Sequence, residues 1–482
     1  MRRGYEMEAT FERYQQATVR LDALIEHASA PADKSRDAIR QRAELRMGRL
    51  RRFLERLGNP HVRYPIVHVG GTSGKGSTST AIAAVLTAAG YRTGLHTSPY
   101  IQTAAEKLQL NGRLIDPGTF ADLTDQLLQV HDQWLRDGEE ALTYGEMWVA
   151  LTAFFFAEAK VDIAVIEVGA GGRFDLTNIV TPVVSVITSV GIDHTHTLGD
   201  TIEEIAWHKA GIIKRGVPAV TAATHPAALE IIAAEAALQG STLIRIPAAI
   251  DVLRTGADGT TWRDGETGAE RTIALGGRFQ ARNGATVVAV AHVLAGAGFE
   301  IPESAIAQGL RAVQIPGRVE LIHDRVPVLL DGAHNPEKVA ALAADVPLVL
   351  PTGDQGRRIG ILGVLEAKQA DEMIRSLMPV VDAIVATSPQ VLAKEPKDAS
   401  VIAGIAREAG FLGPVHVEPE PRRAISYALA QVDEGRQDSI LVTGSLYLVG
   451  NIRGRWFGER EIVLQQTSWP RAMVNPGPST SD

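Results

Sequence analysis

Short apolar runs alternate with stretches of helical spacing along most of this chain. In the first half, apolar runs at 66–69, 163–168, 183–188 and 217–221 predict buried strands, and the alanine-rich stretch 77–89 predicts a helix directly after the first run. Strands and helices that alternate in this way favour a mostly parallel sheet covered by helices. The first half is therefore predicted to form one α/β unit.

The same pattern restarts beyond residue 314, which predicts a second α/β unit. Its strands are expected at 326–330, 359–364, 383–386 and 440–442. Between the two units, residues 253–273 alternate polar and β-forming side chains around glycine-containing turns. This segment predicts one or two hairpins attached to the main sheet.

The two ends of the chain have different compositions. Residues 11–57 are charged and predict two amphipathic helices, separated near 30–33, whereas 467–482 contains three prolines and predicts a mobile tail. We therefore expect four segments: an N-terminal helical extension (1–47), a central domain (48–314), a C-terminal domain (315–466) and the tail (467–482).

Composition excludes several classes of chemistry. The 482 residues include no cysteine, which excludes disulfides, zinc–thiolate sites, iron–sulfur clusters and thiol nucleophiles. A net charge of −8 argues against broad nucleic-acid binding. The apolar stretch 147–159 is shorter than the roughly 18–20 residues of a membrane-spanning helix, and the N-terminus does not resemble a secretory signal. We expect a cytoplasmic monomer that acts on small molecules.

The most informative segment is a glycine-rich turn between the first predicted strand and its helix, Gly70-Gly71-Thr72-Ser73-Gly74-Lys75-Gly76-Ser77. Backbone N–H groups in such a turn bind phosphate together with the helix start, while lysine contacts the outer phosphate oxygens and serine suits Mg²⁺. The strict G-x-x-x-x-G-K-[ST] pattern is altered, because residue 69 is valine and Gly76 separates Lys75 from Ser77. A glycine turn with a solvated lysine is the alternative, but the strand–turn–helix context favours ATP binding.

Acidic residues and a histidine follow or flank the predicted strands of the first unit, at Glu146, Glu167, Asp175, Asp193 and His194. Open parallel sheets bind ligands at this edge, and oxygen and imidazole donors suit magnesium. Each residue alone also has a simpler interpretation. Single acids often serve as helix caps or ion pairs, His194 could be a buried core histidine, and Lys209 and Arg173 could be ordinary structural cations.

Ten segments, in the same order along the chain, resemble the folylpolyglutamate synthase/dihydrofolate synthase family of the Mur ligase superfamily. They lie within residues 71–77, 97–99, 142–146, 167–178, 193–201, 209–214, 280–283, 316–320, 331–336 and 443–445. The resemblance implies an α/β fold in which a P-loop-type, mostly parallel sheet domain with N-terminal helices is followed by a smaller Rossmann-like α/β domain.

The resemblance also implies a nucleotide site with ATP and two Mg²⁺ ions. The positions that match the family's nucleotide-binding residues are Gly71, Thr72, Gly74, Lys75, Gly76, Ser77, Asn283, Arg318 and Asp331. Those that match its metal-binding residues are Ser77, Ser98, Glu146 and His194. Catalytic roles are implied for Lys75, Lys209, His194, Arg318 and His334, with Lys209 carbamylated so that it faces metals as an anion.

The implied activity is the ATP-dependent addition of L-glutamate to a folate through an acyl phosphate. Polyglutamylation of tetrahydrofolate is the main expectation, and formation of dihydrofolate from dihydropteroate is the second. Substrate contacts are expected from Tyr100, Arg173 and Asp175. A hinge at Pro316-Gly317 would bring Arg318 onto the phosphates when the domains close.

The chain departs from the usual family pattern mainly on the expected acceptor side. It has Tyr100 where the family usually has histidine, Lys107 in place of arginine, and altered motifs around Lys368 and Lys394; Ser73 replaces asparagine in the phosphate loop. Two alternatives therefore stay open: a Mur-type ligase for another acid, such as a peptidoglycan precursor or a polyglutamate, and a nucleotide-binding protein without catalysis. Retention of the lysines, metal candidates and Asp331 favours an enzyme.

Overall fold

The computed structural model of the chain describes residues 2–26, 35–193, 195–392 and 394–471. These residues form two lobes, each built on its own sheet, together with a small third sheet. The predicted fold class, a mostly parallel sheet domain with N-terminal helices followed by a smaller α/β domain, is confirmed. Within the described ranges, no helix is both long enough and apolar enough to cross a membrane.

The first lobe contains an eight-stranded sheet in the order β4-β3-β2-β5-β1-β6-β7-β8. Its strands are β1 (Ile66–Gly70), β2 (Thr93–His96), β3 (Leu108–Leu110), β4 (Arg113–Leu114), β5 (Ile163–Glu167), β6 (Val184–Ile187), β7 (Ala219–Thr221) and β8 (Leu243–Arg245). Only the β2–β3 and β3–β4 pairs are antiparallel. Strands β1 and β5 are fully buried because helices cover both faces of the sheet.

The helices of the first lobe cover both faces of the sheet and form three hydrophobic clusters with it. They are α1 (Arg2–Glu26), α2 (Arg36–Arg56), α3 (Lys75–Ala88), α4 (Pro117–Arg136), α5 (Tyr144–Glu158), α6 (Thr195–Leu198), α7 (Ile202–Ala210), α8 (Pro226–Leu238), α9 (Phe279–Gly296) and α10 (Glu303–Ala312). Along β1, Ile66 points into the core with α1, α2, α4 and α5, while Val67 points into the core with α3, α9 and α10. This alternation is the period-two pattern of a strand covered on both sides.

The predicted hairpin region forms a small antiparallel sheet of β9 (Asp251–Gly256), β10 (Gly259–Arg263) and β11 (Glu270–Ile273). Trp262 is 1% exposed and packs against Gly284 of α9, where an added Cβ would lie 2.3 Å from the indole ring. The small sheet therefore extends a core of the first lobe.

The second lobe has a six-stranded sheet in the order β12-β13-β17-β14-β15-β16, parallel except for the β12–β13 pair. Its strands are β12 (Glu320–His323), β13 (Pro327–Leu330), β14 (Arg358–Leu362), β15 (Ala383–Ala386), β16 (Val415–Val417) and β17 (Ser439–Thr443). The remaining helices are α11 (Pro336–Val349), α12 (Ala370–Leu377), α13 (Ala399–Glu408), α14 (Pro421–Gln431), α15 (Leu446–Arg453) and α16 (Glu459–Gln465).

The chain ends differ from the expected segments in two respects. Helix α2 continues through the expected boundary at residue 47, because Met47, Leu50 and Phe53 bury one continuous apolar face. The tail prediction is wrong for residues 467–471, since the Ser468 carbonyl accepts a hydrogen bond from Arg453 and the Trp469 indole N–H donates to Glu320. The expected helix break near 30–33 and residues 472–482 lie outside the described ranges.

The carboxyl ends of the parallel strands define where a ligand can bind. The glycine-rich turn follows β1, Glu167 is the last residue of β5, and Thr188 follows β6 at the same edge. In the second lobe, Asp331 follows β13. These edges face each other across the boundary between the lobes, as expected for ligand sites of open α/β sheets.

The helix that follows the glycine-rich turn depends on one close contact. A Cβ added to Gly309 of α10 would lie 2.4 Å from the Cα of Val85 in α3. We expect Gly309→Ala to lower the free energy of unfolding by about 1–3 kcal/mol through overpacking, as measured by urea unfolding. Gly404 of α13 has open space and is the matched control; Gly404→Ala should stabilise by up to about 1 kcal/mol. Equal effects would contradict the packing.

Candidate active site

A cleft of about 350 Å³ lies between the two lobes. The first lobe contributes the glycine-rich turn, Ser98, Glu167, the turn after β6 and the start of α9, and the second lobe contributes the segments around Arg318, Asp331 and α11. The predicted nucleotide-binding residues that line the cleft are Thr72, Gly74, Lys75, Gly76, Ser77, Asn283, Arg318 and Asp331. The structure thus brings together residues more than 200 positions apart in sequence.

Two glycines of the turn have conformations and surroundings that exclude a side chain. Gly71 has φ 144° and Gly74 has φ 84°, in the region where only glycine is unstrained. An added Cβ would lie 2.0 Å from the Thr188 hydroxyl at Gly71 and 2.4 Å from Asn283 Oδ1 at Gly74. Both glycines are therefore required by backbone shape and by close packing.

Hydrogen bonds from the turn after β6 hold this loop in place. The Thr72 N–H donates to the Ser189 carbonyl (2.9 Å), and the Ser73 N–H donates to the Ser189 hydroxyl oxygen (2.8 Å). The Thr188 hydroxyl donates to the Ser73 carbonyl (2.6 Å). The loop is thus built before any ligand binds, which lowers the entropic cost of binding.

Lys75 is the first residue of α3, and Ser77 is buried in the first turn of the same helix. The Lys75 ammonium donates to the Gly71 carbonyl across the loop (3.0 Å). The helix N-terminus and this ammonium together place positive charge at the base of the cleft, which is the arrangement that binds phosphate groups.

Glu167 faces the same loop from the end of β5. It is 4% exposed, it accepts a hydrogen bond from the Ser98 N–H (3.0 Å), and its carboxylate oxygens lie within 4 Å of the Cβ position of Gly76. Burial raises the pKa of Glu167, and Lys75 and Arg318 partly oppose that rise. A metal ion or a further cation would therefore stabilise its charged form.

Arg318 enters the cleft from the second lobe next to Gly332. A Cβ on Gly332 would lie 2.9 Å from Arg318 Nη1 and 2.2 Å from the Leu446 side chain, so glycine leaves room for the guanidinium. Asp331 accepts the N–H groups of Val319 (3.0 Å) and Ala333 (2.8 Å), which fixes the backbone on both sides of the arginine. Burial raises the pKa of Asp331, with Arg318 as the largest opposing influence.

His334, just before α11, pairs with Lys338 in the first turn of that helix. The His334 Nδ1 donates to the Gly332 carbonyl (2.8 Å), and the Lys338 ammonium donates to Nε2 (3.1 Å), an arrangement that requires a neutral imidazole. Burial is the main reason that the pKa of His334 lies well below 6.5. Burial, followed by the charges of Lys75 and Arg318, lowers the pKa of Lys338 to about 7.

Asp193 lines the cleft and contacts the second lobe, and buried Lys209 lies near it in the first lobe. Burial and then the charge of Lys75 lower the pKa of Lys209 well below 10.5. Asp193 forms an ion pair with Lys368 (2.8 Å) and accepts a hydrogen bond from Asn335 (3.2 Å), both in the second lobe. His194, predicted as a metal ligand and catalytic residue, lies outside the described residues.

Comparison with known proteins decides the family. The Mur ligase middle domain matches residues 69–291, and the Mur ligase glutamate ligase domain matches residues 317–446. The dihydrofolate synthase/folylpolyglutamate synthase of Bacillus subtilis is 36% identical over 422 residues, which are 85% of this chain and 94% of that protein. This chain is a member of the folylpolyglutamate synthase/dihydrofolate synthase family of Mur ligases.

Similarity to two further proteins supports the same family. The folylpolyglutamate synthase of Lacticaseibacillus casei is 34% identical over 429 residues, covering 85% of this chain and 94% of that protein. The Mycobacterium tuberculosis folylpolyglutamate synthase, solved with ADP and AMPPCP, superimposes with a TM-score of 0.77 at 31% identity, over 85% of this chain and 95% of that chain.

Glu146 does not reach the cleft of this Mur ligase, contrary to its prediction as a metal ligand. It is fully buried near the start of α5, where it accepts the Thr143 N–H (2.8 Å) and two hydrogen bonds from the Arg49 guanidinium (2.7 and 2.8 Å). Its oxygens thus serve as a helix cap and a buried ion pair. Glu167, one of the acids noted in the sequence but not assigned to the metal, faces the phosphate loop instead.

The three predicted substrate residues lie outside the cleft lining of this family member. Arg173 pairs with Glu235 (2.6 Å), and its guanidinium lies over the Trp207 ring (4.3 Å). These contacts are those of a structural cation rather than of a substrate-binding residue. Asp175 accepts N–H groups from Ala170 and Thr177 and caps a short helix. Tyr100 is half-buried two residues beyond Ser98, and burial raises its pKa to about 12.

The sequence gives no direct indication of Lys338 and marks Lys107 of this ligase only as a replacement for arginine. Lys338 follows His334 by one helical turn, so an i, i+4 spacing from a candidate residue was its only signal. Lys107 is buried over the Trp148 ring (3.9 Å), and burial lowers its pKa to about 7. Its burial depends on aromatic residues about 40 positions away, which no local pattern indicates.

The two glutamates predict opposite mutational effects. Glu146→Gln should lower the free energy of unfolding by about 2–4 kcal/mol, because it removes the buried partner of Arg49 and leaves only the exposed Glu140. Glu167→Gln should change stability by less than about 1 kcal/mol, because burial already disfavours its charge, but it should weaken Mg²⁺-dependent nucleotide binding at least roughly tenfold. Urea unfolding and calorimetry with an ATP analogue measure both properties. If Glu146→Gln instead weakened nucleotide binding and Glu167→Gln instead lowered stability, Glu146 would be the metal ligand.

Proposed function

We propose that this protein is an ATP-dependent, ADP-forming ligase that joins L-glutamate to the carboxylate of a folate, with tetrahydrofolate polyglutamylation as its main reaction. The observation that carries the proposal is the meeting of Lys75 from one lobe and Arg318 from the other in a single cleft. Family membership supplies the ATP-dependent amide chemistry, and the names of the relatives supply the folate acceptor.

The triphosphate is proposed to lie along the glycine-rich turn, with its outer phosphate between Lys75 and Arg318. The N–H groups at the start of α3 face that position, and the preformed loop needs no rearrangement. Phe279, Arg282 and Asn283 line the cleft at the start of α9 and would contact the rest of the nucleotide. The Mycobacterium tuberculosis relative was solved with ADP and AMPPCP, which supports nucleotide binding by this chain.

Magnesium fits the donor set at the loop. Ser77 and Glu167 offer a hydroxyl and a carboxylate, the hard oxygen donors that Mg²⁺ prefers. Within the described ranges, no group of three or more His, Asp or Glu side chains could hold a metal by itself, so phosphate and water oxygens would complete the shell. Bound there, Mg²⁺ would neutralise phosphate charge. A second ion near Ser98 and His194 stays a prediction.

The reaction has two steps that balance without a protein nucleophile. A carboxylate oxygen of the folate bonds to the γ-phosphorus while the bond to the β–γ bridging oxygen breaks, which gives an acyl phosphate and ADP. The glutamate amine then attacks the acyl carbon, phosphate leaves, and the amine loses a proton. Lys75 and Arg318 stabilise the charge on the transferred phosphoryl group, and closed lobes exclude water from the acyl phosphate.

Carbamylation of Lys209 is proposed as part of the same site. Carbon dioxide reacts with a neutral amine, and burial lowers the pKa of Lys209 and so favours the neutral form. The product is an anion that would offset the nearby charges of Lys75 and Lys338. Incubation with ¹³C-bicarbonate, read by NMR, tests for the carbamate signal and for its loss in Lys209→Met.

Acceptor contacts by Tyr100, Arg173 and Asp175 stay a prediction, since none of the three lines the cleft. Two departures from the family pattern, Tyr100 and buried Lys107, lie close together along the chain, whereas Lys368 pairs with Asp193 at the cleft. A folate remains the favoured acceptor because relatives that match this chain over 84–85% of its length carry folate synthase names. A cytoplasmic location and a monomeric state, both expected from the sequence, remain predictions.

The direct test combines the purified protein with ATP, Mg²⁺, L-glutamate and tetrahydrofolate. We expect phosphate release that requires both glutamate and folate, and a product heavier by one glutamyl residue in mass spectrometry. Dihydropteroate in place of tetrahydrofolate tests the second activity. Lys75→Ala should lower turnover at least roughly 100-fold, the effect of removing one group that stabilises a transition-state charge.

Lys160→Asn is the matched control, because Lys160 is an exposed lysine in a left-handed turn that asparagine tolerates. It should turn over like the wild type. Suppose that glutamate-dependent phosphate release occurs with another carboxylic acid but with none of the folates. That acid would then be the acceptor in place of a folate. Absence of ATP turnover with every acid, despite nucleotide binding, would favour the non-catalytic alternative.

A further inference from the structure

The C-terminal segment 458–471 returns to the first lobe after the second lobe is complete. Ile462 and Val463 are fully buried in the core that contains α1, α4 and α5. The Leu114 N–H donates to the Gln466 carbonyl (3.0 Å), and Arg460 pairs with Glu8 of α1 (2.8 Å). This segment lies beyond the matched glutamate ligase domain, which ends at residue 446. The two lobes are therefore joined by two chain crossings, near residue 317 and near residue 456.

Arg453 is buried and makes hydrogen bonds to residues near both chain crossings. Its side chain is 0% exposed, and its guanidinium donates to both carboxylate oxygens of Glu320 (2.9–3.0 Å) and to the Ser468 carbonyl (2.7 Å). It also donates to Gln102 of the first lobe. The Trp469 indole N–H donates to Glu320 as well (2.9 Å). Glu320 thus receives charge-assisted hydrogen bonds from the second lobe and from the returning segment.

Glu320 in turn shapes the backbone from which Arg318 projects. Its Oε2 accepts the Gly317 N–H (2.8 Å), which closes the turn of residues 317–320. Gly317 has φ 65° and Val319 has φ 48°, an unfavourable conformation for a β-branched residue that only surrounding contacts can maintain. A change in the Glu320 carboxylate position would therefore move the turn and the arginine it carries.

We propose that Arg453, Glu320 and Trp469 are positioning residues that hold the 317–320 turn so that Arg318 reaches the phosphate end of the cleft. The returning segment 458–471 thereby influences the nucleotide site without contacting it. This inference rests on the proposed function only through the role of Arg318 on the transferred phosphoryl group. None of the three residues lines the cleft.

Trp469→Phe tests the proposal in the full-length protein, because it removes the indole N–H and keeps an aromatic ring against Arg453. We expect kcat to fall roughly tenfold, the effect of losing about one charge-assisted hydrogen bond, with KM for ATP changed less than threefold. The Gly317 amide should exchange its hydrogen faster. Trp456→Phe is the matched control, because that indole donates to exposed Asp324 (2.8 Å); it should keep wild-type kcat and Gly317 exchange.

The outcomes separate positioning from plain structural support. A lower Tm with unchanged kcat and unchanged Gly317 exchange in Trp469→Phe would overturn the proposal, as would equal effects of the two tryptophan variants. If the wild type shows no folate-dependent turnover, the proposed function fails on its own. In that case the Gly317 exchange rate still decides the inference: faster exchange in Trp469→Phe alone supports it, and no difference between the two tryptophan variants overturns it.

Discussion

Repulsion between cations that lie in or beside one cleft is the constraint on which the site depends. Lys75, Lys338 and Arg318 line one cleft, with buried Lys209 close enough to be affected by two of them. The resulting repulsion, added to burial, lowers the pKa values of Lys209 and Lys338. Glu167, Asp193 and Asp331 offset part of this charge, but Glu167 and Asp331 are themselves destabilised as anions by burial. A polyphosphate supplies the negative charge that this arrangement lacks.

The two lobes hold their parts of the site in different ways. The phosphate loop is held by backbone and hydroxyl groups of its own lobe, so its shape does not depend on the other lobe. Arg318, by contrast, depends on a strained turn and on contacts that extend to the C-terminal segment. The Asp193–Lys368 ion pair joins the lobes at the cleft. One lobe thus provides a fixed binding surface, and the other provides a cation whose position depends on how the lobes meet.

The fold and the phosphate loop could be predicted because their signals are local. Buried runs of three to five residues marked β1, β5, β6 and β7, and the glycine turn between β1 and α3 required no distant information. Strands β2, β3, β4 and β8 have two to four residues that include glycine or polar side chains, so no apolar run marks them. The tail prediction failed because low apolar content says nothing about specific partners such as Glu320 for Trp469.

The choice between Glu146 and Glu167 shows the limit most clearly. Glu167 ends a predicted strand, and Glu146 follows Thr143 at capping-box spacing, but this local signal does not show whether the Glu146 carboxylate remains available to a metal. The difference is Arg49, which lies 97 positions from Glu146 and satisfies its carboxylate. Arg173 likewise has its partner 62 positions away, at Glu235. Long-range ion pairs of this kind decide which charged residues remain available for a ligand, and they depend on tertiary structure.

Proton uptake on nucleotide binding tests the account most directly. In the free protein at pH 8, Lys338 is mostly neutral because its pKa is about 7, and a bound triphosphate should raise that pKa. Calorimetry with AMPPCP in two buffers of different ionisation enthalpy should therefore show net uptake of up to about one proton per site, reduced in Lys338→Met. Affinity should also fall as pH rises above 7. Binding without proton uptake, or uptake unchanged in Lys338→Met, would contradict the claim that a bound polyphosphate offsets the repulsion between the cations of the cleft.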